Sequence, residues 1–255
     1  MRKRTVVITG ADRGLGYELA RQCAERGDMV YAGKYRTNWH LLEELKEKYP
    51  DRVEIVPLDV RYDESVRKAA EVILGKTDKI DILLNVAGVW LSHNSGTVLD
   101  GHFDYGRMME EFNVNALGSL RVTEALIRAV LNGYDRVVAN LSSEAASITS
   151  CQKTDQPGYC MSKAAINMWS SIVLNTIKSR GGTVLNFHPG WMQSVIGSSA
   201  EPDAPFEELP DEDKVQFYTT PAHTAEGILH ILDEPERFAG SVPAFINYHG
   251  DVMKY

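Results

Sequence analysis

Tyr159 and Lys163, in the run YCMSK (159–163), stand four positions apart in a stretch of helical composition. Residues i and i+4 share one helix face, so a phenol and an ammonium at this spacing can meet. A free tyrosine titrates near pH 10, and an ammonium that stabilises the phenolate moves it toward the range where protons are given and taken near neutral pH. The same spacing arises wherever two polar residues share a helix, so the chemistry depends on what surrounds the pair. A second cluster bears on it. The apolar run RTVVIT (4–9) leads straight into TGADRGLGYELA, with Gly10, Gly14 and Gly16. Glycines there let the backbone turn tightly and approach a pyrophosphate, which the first amides and positive dipole end of the next helix attract. For the string alone, a tight turn with no ligand is the alternative. Its position between a first strand and a helix is the context a dinucleotide site requires.

Enzymes that prefer NAD place an Asp or Glu about 20 residues beyond the glycines to accept the ribose 2′-hydroxyl. The segment YAGKYRTN (31–38) carries Lys34 and Arg36 there and no carboxylate, and Arg13 in the glycine turn could face the same spot. Cations without an acid suit a 2′-phosphate, so NADP(H) is expected over NAD(H).

Elements of the right kind exist to position these groups. Short apolar runs at 4–9, 28–33, 52–58, 80–86, 135–141, 182–187 and 242–246 alternate with helical segments near 14–26, 38–48, 63–75, 104–131, 159–180 and 221–232. Near-continuous apolar strands separated by helices predict an α/β protein with a doubly wound, mostly parallel seven-stranded sheet covered on both faces. No repeat or linker divides residues 1–255, so one domain is expected. Two long connections, 88–103 and 190–220, follow the C-terminal ends of strands, the edge where ligands bind in such sheets. The second, with an acidic stretch at 201–213 flanked or interrupted by Trp191, Phe206, Phe217 and Tyr218, is expected to act as a substrate-binding lid.

Composition narrows the function classes. The chain has 255 residues, 44% hydrophobic and 24% charged, as in ordinary globular proteins. A net charge of −8 argues against a nucleic-acid surface. The N-terminal apolar run is too short for a signal peptide, and no stretch approaches the ~20 apolar residues of a membrane span, which predicts a cytoplasmic protein without a membrane partner. Cys23, Cys151 and Cys160 give no disulfide framework. His93, His102, His188, His223, His230 and His249 have no ligand spacing, and no metal is expected.

Together these motifs resemble the short-chain dehydrogenase/reductase family. TGADRGLG resembles its cofactor turn, LDV (58–60) the segment that sets Asp59 on the adenine, and NVAG (85–88) its NNAG signature with Val86 in place of the second Asn. VNALG (114–118) resembles the segment carrying its catalytic Asn, here Asn115, and NLSSEAA (140–146) the strand end carrying its catalytic Ser, by position Ser143. YCMSK supplies Tyr159 and Lys163, and HPGWMQS (188–194) resembles the segment lining the nicotinamide, with Ser194 where Thr is usual. The matches run in the family's order over nearly the whole chain, and the C-terminal residues suggest the branch that holds sniffer and C-factor-like carbonyl reductases. The resemblance implies a Rossmann fold and catalytic roles for Asn115, Ser143, Tyr159 and Lys163. It also implies cofactor contacts from Gly10, Asp12, Arg13, Gly14, Leu15, Gly16, Lys34, Arg36, Asp59, Val60, Asn85, Ala87, Gly88, Tyr159, Lys163, Pro189, Gly190, Met192 and Ser194.

In that reading NADPH supplies a hydride, Tyr159 passes a proton to the substrate oxygen, Ser143 donates a hydrogen bond to it, Lys163 lowers the phenol's pKa and reaches the cofactor ribose, and Asn115 holds a water leading to solvent. The expected activity is NADP(H)-dependent interconversion of a small-molecule aldehyde or ketone and its alcohol. The long helices 104–131 and 159–180 resemble those through which the family forms dimers or tetramers. A non-catalytic dinucleotide sensor or scaffold is the alternative of a different class. Loss of the Tyr, Lys or Ser would favour it, and all three are present. A nucleotide-sugar epimerase shares the Tyr/Lys pair but has a longer chain.

Overall fold

The computed structural model describes residues 2–92, 95–194, 196 and 218–255. The chain alternates strand and helix: β1 (Thr5–Ile8), α1 (Gly14–Arg26), β2 (Met29–Lys34), α2 (Leu41–Lys48), β3 (Val53–Pro57), α3 (Asp63–Leu74) and β4 (Ile82–Asn85). Then follow α4 (Tyr105–Glu111), a π-helical turn (Phe112–Gly118), α5 (Ser119–Asn132), β5 (Val137–Leu141), α6 (Pro157–Ile177), β6 (Thr183–His188), α7 (Pro221–Leu232) and β7 (Ala244–Asn247). The strands form one sheet in the order β3-β2-β1-β4-β5-β6-β7. Every pairing is parallel, so the mostly parallel sheet expected is wholly parallel. The order reverses between β1 and β4, which opens a crevice at their C-terminal ends.

Side-chain alternation along the strands feeds two cores. Val6, Ile8, Ile82, Leu84, Val137 and Ala139 pack with Leu19 and Cys23 of α1, Leu42 and Leu45 of α2 and Ile228 of α7. Val7, Leu83 and Val138 point the other way, toward Val66 and Ile73 of α3, Leu126 of α5 and Ile166 and Trp169 of α6. Strands buried on both faces explain the unbroken apolar runs in the sequence.

The predicted helix 104–131 is not continuous. A π turn at Phe112–Gly118 interrupts it, and the end of the 159–180 segment tightens to a 3₁₀ turn at Lys178–Arg180. Apolar periodicity cannot register one extra residue per turn, which is why the π turn was invisible to it.

A polar ladder crosses the second core. Asn85 on β4 donates to Thr123 (3.0 Å) and Asn140 (2.8 Å), and Asn140 on β5 donates to Ser170 (3.0 Å) and Asn186 (3.1 Å). Asn140 is fully buried, so its truncation strands several partners at once. Asn140→Ala is expected to cost about 3 kcal/mol of unfolding free energy, read as a lower denaturant midpoint at unchanged slope. A loss below about 1 kcal/mol would show that the ladder does not tie β4, β5 and α6 together.

Candidate active site

A cleft of about 1080 Å³ opens at the strand-order reversal. Its floor begins with the glycine turn. Gly10 has φ +62°, and an added Cβ would lie 2.8 Å from the Ala87 Cα, so the end of β1 packs directly on the end of β4. At Gly16 an added Cβ would collide with the Gly10 carbonyl, and only glycine lets α1 start so close beneath the turn. Gly14, at φ +51°, has nothing within 4 Å of an added Cβ. The N-cap residue of α1, Arg13, makes no side-chain cap bond to the first amides of the helix, which lie where a pyrophosphate could be cradled.

The adenosine end is more elaborate than the sequence indicated. Asp12 accepts hydrogen bonds from the amides of Tyr35 (3.1 Å) and Arg36 (2.8 Å), fastening the glycine turn to the end of β2. The Arg13 guanidinium lies 4.7 Å from the Trp39 ring centroid, and that of Arg36 lies 5.8 Å from it. Lys34 does not join them: its ammonium donates to the Trp39 carbonyl (2.6 Å) and pairs with Glu43 (2.7 Å), and it does not line the cleft. Of the three expected cations, Arg13 and Arg36 line the cleft and Lys34 is turned away from it. The reason is a carboxylate on α2 that sequence distance concealed. Arg61, which the sequence reading passed over, lies over Tyr35 (5.1 Å) and holds Asp59 through paired bonds of 2.7 and 2.9 Å. Burial pushes the Asp59 carboxyl up, but the bonds from Arg61 outweigh it and hold it below the usual carboxylate range.

Of the other expected cofactor contacts, Leu15, Val60, Ala87, Gly88, Pro189, Gly190, Met192 and Ser194 line the cleft with Gly10, Asp12, Arg13, Gly14, Gly16, Arg36 and Asp59. Asn85 does not. Its side chain is spent in the buried ladder, because position 85 points to the α5 face of the sheet. The Val86 departure costs no backbone bond here, since the amides of Val86 and Ala87 both donate to Thr9 Oγ1 (3.0 Å).

The candidate proton-transfer residues converge on the far side. Ser143 lies two residues beyond β5 and caps the short 3₁₀ turn Glu144–Ala146. Tyr159 and Lys163 rise from the first turns of α6, and all three line the cleft. Lys163 Nζ sits 5.7 Å from the Tyr159 ring centroid and donates to the Leu141 carbonyl (2.7 Å). Asn115, in the π turn, stands behind the wall: its amide brackets Val89, accepting from Val89 N (2.8 Å) and donating to Val89 O (2.9 Å), and donates to Ser162 (2.9 Å).

Electrostatics correct one expectation. Burial pushes the Tyr159 phenol up to about 12, with a hydrogen bond to Ser143 pulling the other way. The lowering expected from Lys163 does not prevail, because burial also weakens the ammonium, from an ordinary 10.5 to about 8, and a carbonyl faces it. Lys163 therefore costs stability while charged. Between pH 8 and 10 the unfolded chain keeps a proton that the folded chain has released, so stability rises with pH there. Replacing this lysine by methionine is expected to erase that rise and to stabilise the protein at pH 7 by about 3 kcal/mol, read from denaturant midpoints at pH 7 and 9.5.

Other groups at the cleft make contacts that the sequence did not indicate. Trp90 packs its ring 5.4 Å from that of Tyr159. Trp191 donates to Glu144 (3.0 Å) with Lys153 over its ring (5.4 Å). His188 accepts from the Glu144 amide (3.2 Å), and burial pulls its pKa down against the Glu144 charge. Isolated aromatic residues and a histidine without ligand spacing give no sequence signal; contact across strands does. Of the expected lid, residues 195 and 197–217 lie outside the described residues. Its two ends are joined by Tyr218 N to Trp191 O (3.0 Å) and Gln193 N to Thr219 O (2.9 Å).

A glycine turn at the reversal of an all-parallel sheet, facing a tyrosine, lysine and serine across one cleft, defines a Rossmann-fold protein. The family of short chain dehydrogenases matches residues 4–205, and the chain belongs to that family of oxidoreductases. An uncharacterized oxidoreductase of Schizosaccharomyces pombe is 28% identical over 97% of this chain and 96% of its own. The C-signal protein of Myxococcus xanthus is 32% identical over 68% of this chain and 92% of its own. The crystal structure of an NADPH-bound carbonyl reductase from chicken fatty liver superposes with a TM-score of 0.79 at 24% identity, covering all of both chains.

Proposed function

We propose that the protein is an NADP(H)-dependent reductase that interconverts an aldehyde or ketone and its alcohol by hydride transfer. The observation that carries this reading is the convergence of Tyr159, Ser143 and Lys163 on the cleft that begins at the glycine turn. The dinucleotide fits what is there: an open Gly14, first amides of α1 with no side-chain cap bond from the N-cap residue, and the Arg13 and Arg36 guanidiniums beside Trp39. Bound, it would supply the hydride. The Tyr159 hydroxyl gives its proton to the oxygen that gains charge, and the Ser143 hydroxyl donates a second hydrogen bond to that oxygen. Lys163 stabilises the phenolate left behind, and Asn115 fixes the loop at Val89 that closes the cleft. Residues 1–255 act as one domain with 190–220 as its lid, in the cytoplasm, and the exposed Met109, Met168 and Ile172 on α4 and α6 suit a homodimer or homotetramer.

Purified protein titrated with NADPH and NADH, then followed at 340 nm with a panel of aldehydes and ketones, tests the reading. Turnover with NADPH supports it. Tight binding with no turnover across the panel would favour a dinucleotide sensor, and no binding would remove both. Arg13→Ala with Arg36→Ala is expected to weaken NADPH by about 30-fold and NADH by less than about threefold, since charge-assisted bonds to a phosphate are lost. Lys34→Ala is expected to leave both nearly unchanged. Equal losses for the two nucleotides in the double variant would show that the arginines do not read the 2′-phosphate.

A further inference from the structure

Glu111, the last residue of α4, is fully buried, yet its known partners are not cations. Its carboxylate accepts from the amides of Leu91 (2.7 Å) and Ser92 (2.7 Å) and from the Ser92 hydroxyl (2.8 and 2.9 Å). A carboxylate at that depth is tolerated only where donors satisfy it, and here one short loop supplies them. Its other side faces α6: an added Cβ at Gly158 would run into Glu111 Oε2 and lie 2.6 Å from Met108 Cγ. Glycine at 158 thus lets the end of α4 seat against the turn that carries Tyr159.

One π turn later, Asn115 grips the same loop at Val89 by both backbone groups. The loop is therefore anchored on each side of Trp90, at 89 by Asn115 and at 91 and 92 by Glu111. With its neighbours pinned, Trp90 keeps only side-chain freedom, and its ring lies against Tyr159 at 5.4 Å with 32° between planes. Both rings line the cleft.

We propose that Glu111 is a positioning residue which, through Leu91 and Ser92, holds the Trp90 indole against the Tyr159 ring, and that Trp90 is the wall that selects flat, bulky carbonyl substrates over small ones. The selectivity rests on the reductase reading above; the anchoring does not.

Hydrogen exchange of the 91 and 92 amides and steady-state kinetics with propanal and acetophenone test it together, in Glu111→Ala, Glu111→Gln, Trp90→Ala and the Glu111→Ala/Trp90→Ala double variant. Glu111→Ala is expected to speed exchange at 91 and 92 by about tenfold or more, as the loss of a buried acceptor implies. It should also raise KM for acetophenone about fivefold, the scale of one lost aromatic contact, with kcat for propanal within about twofold of wild type. Trp90→Ala should give the same KM shift, and the double variant should be no worse than Trp90→Ala alone. Glu111→Gln, which keeps an acceptor oxygen, should restore most of the exchange protection and of the KM. Unchanged exchange in Glu111→Ala, multiplying KM losses in the double variant, or an equal fall in kcat for both substrates would overturn the proposal. Should Glu111→Ala not fold, Ser92→Ala carries the test, with a smaller KM rise for acetophenone alone expected and no rise overturning it. If wild type reduces no carbonyl, the reductase reading falls, and exchange at 91 and 92 still decides the anchoring.

Discussion

Tyr159→Phe is expected to lower kcat/KM by about three orders of magnitude while leaving NADPH affinity within about twofold of wild type. The substitution keeps the ring that packs on Trp90 and removes only the hydroxyl, whose neighbour is Ser143. General acid–base catalysis contributes about 10²–10⁴-fold, and in the proposed mechanism the proton donor and one of the two oxygen-stabilising groups are the same atom. Nothing in the glycine turn or the arginine pair depends on that hydroxyl, so the nucleotide should bind as before. Burial that pushes the phenol up to about 12 also means that the variant buries one polar group fewer, and its thermal midpoint should not fall. Absorbance at 340 nm gives the rate, and quenching or transfer fluorescence gives the affinity. Wild-type-like rates would assign the proton to another group. A parallel loss of NADPH binding would mean that the ring position, not the proton, was disturbed.

The glycine turn provides the second large effect, through a contrast between two of its residues. Gly16→Val should abolish binding of both nucleotides, because any Cβ there meets the Gly10 carbonyl and no rotamer can move a backbone atom aside. The start of α1 must shift or the chain must fail to fold, and circular dichroism with a thermal scan will show which. Gly14→Ala is the sharper test. Open space surrounds its Cβ, so the fold should persist at a cost of about 1 kcal/mol for a left-handed alanine. Gly14 nevertheless lines the cleft at the first turn of α1, so an added methyl group is expected to crowd the nucleotide, and affinity should drop by about tenfold or more. A folded Gly14→Ala protein with unchanged affinity would place the phosphates elsewhere.

The order of elements was legible from the sequence because its signal is local. Strands buried on both faces leave apolar runs, and α1 and α7 are found at the expected 14–26 and 221–232 because each has a clear apolar face and a clean start. Motif spacing carried the family, since glycines at a tight turn and a tyrosine–lysine pair on one helix face are short-range patterns. Asn85 shows where such patterns stop. It sits in a recognisable signature, yet the pleat turns its amide into the buried ladder rather than the cleft.

By itself, then, the sequence determined the alternation of strands and helices, the glycine turn and the Tyr159–Lys163 pair, all of which follow from neighbours along the chain, while Ser143 came from the resemblance to the family. Only the tertiary structure decided which charges are available and which are spent. Lys34 is neutralised by Glu43 from the following helix, Arg61 is added beside Asp59, and burial rather than the lysine dominates the Tyr159 phenol. Charge energetics depend on distance in space and on depth below the surface, and neither quantity is written in the spacing of residues.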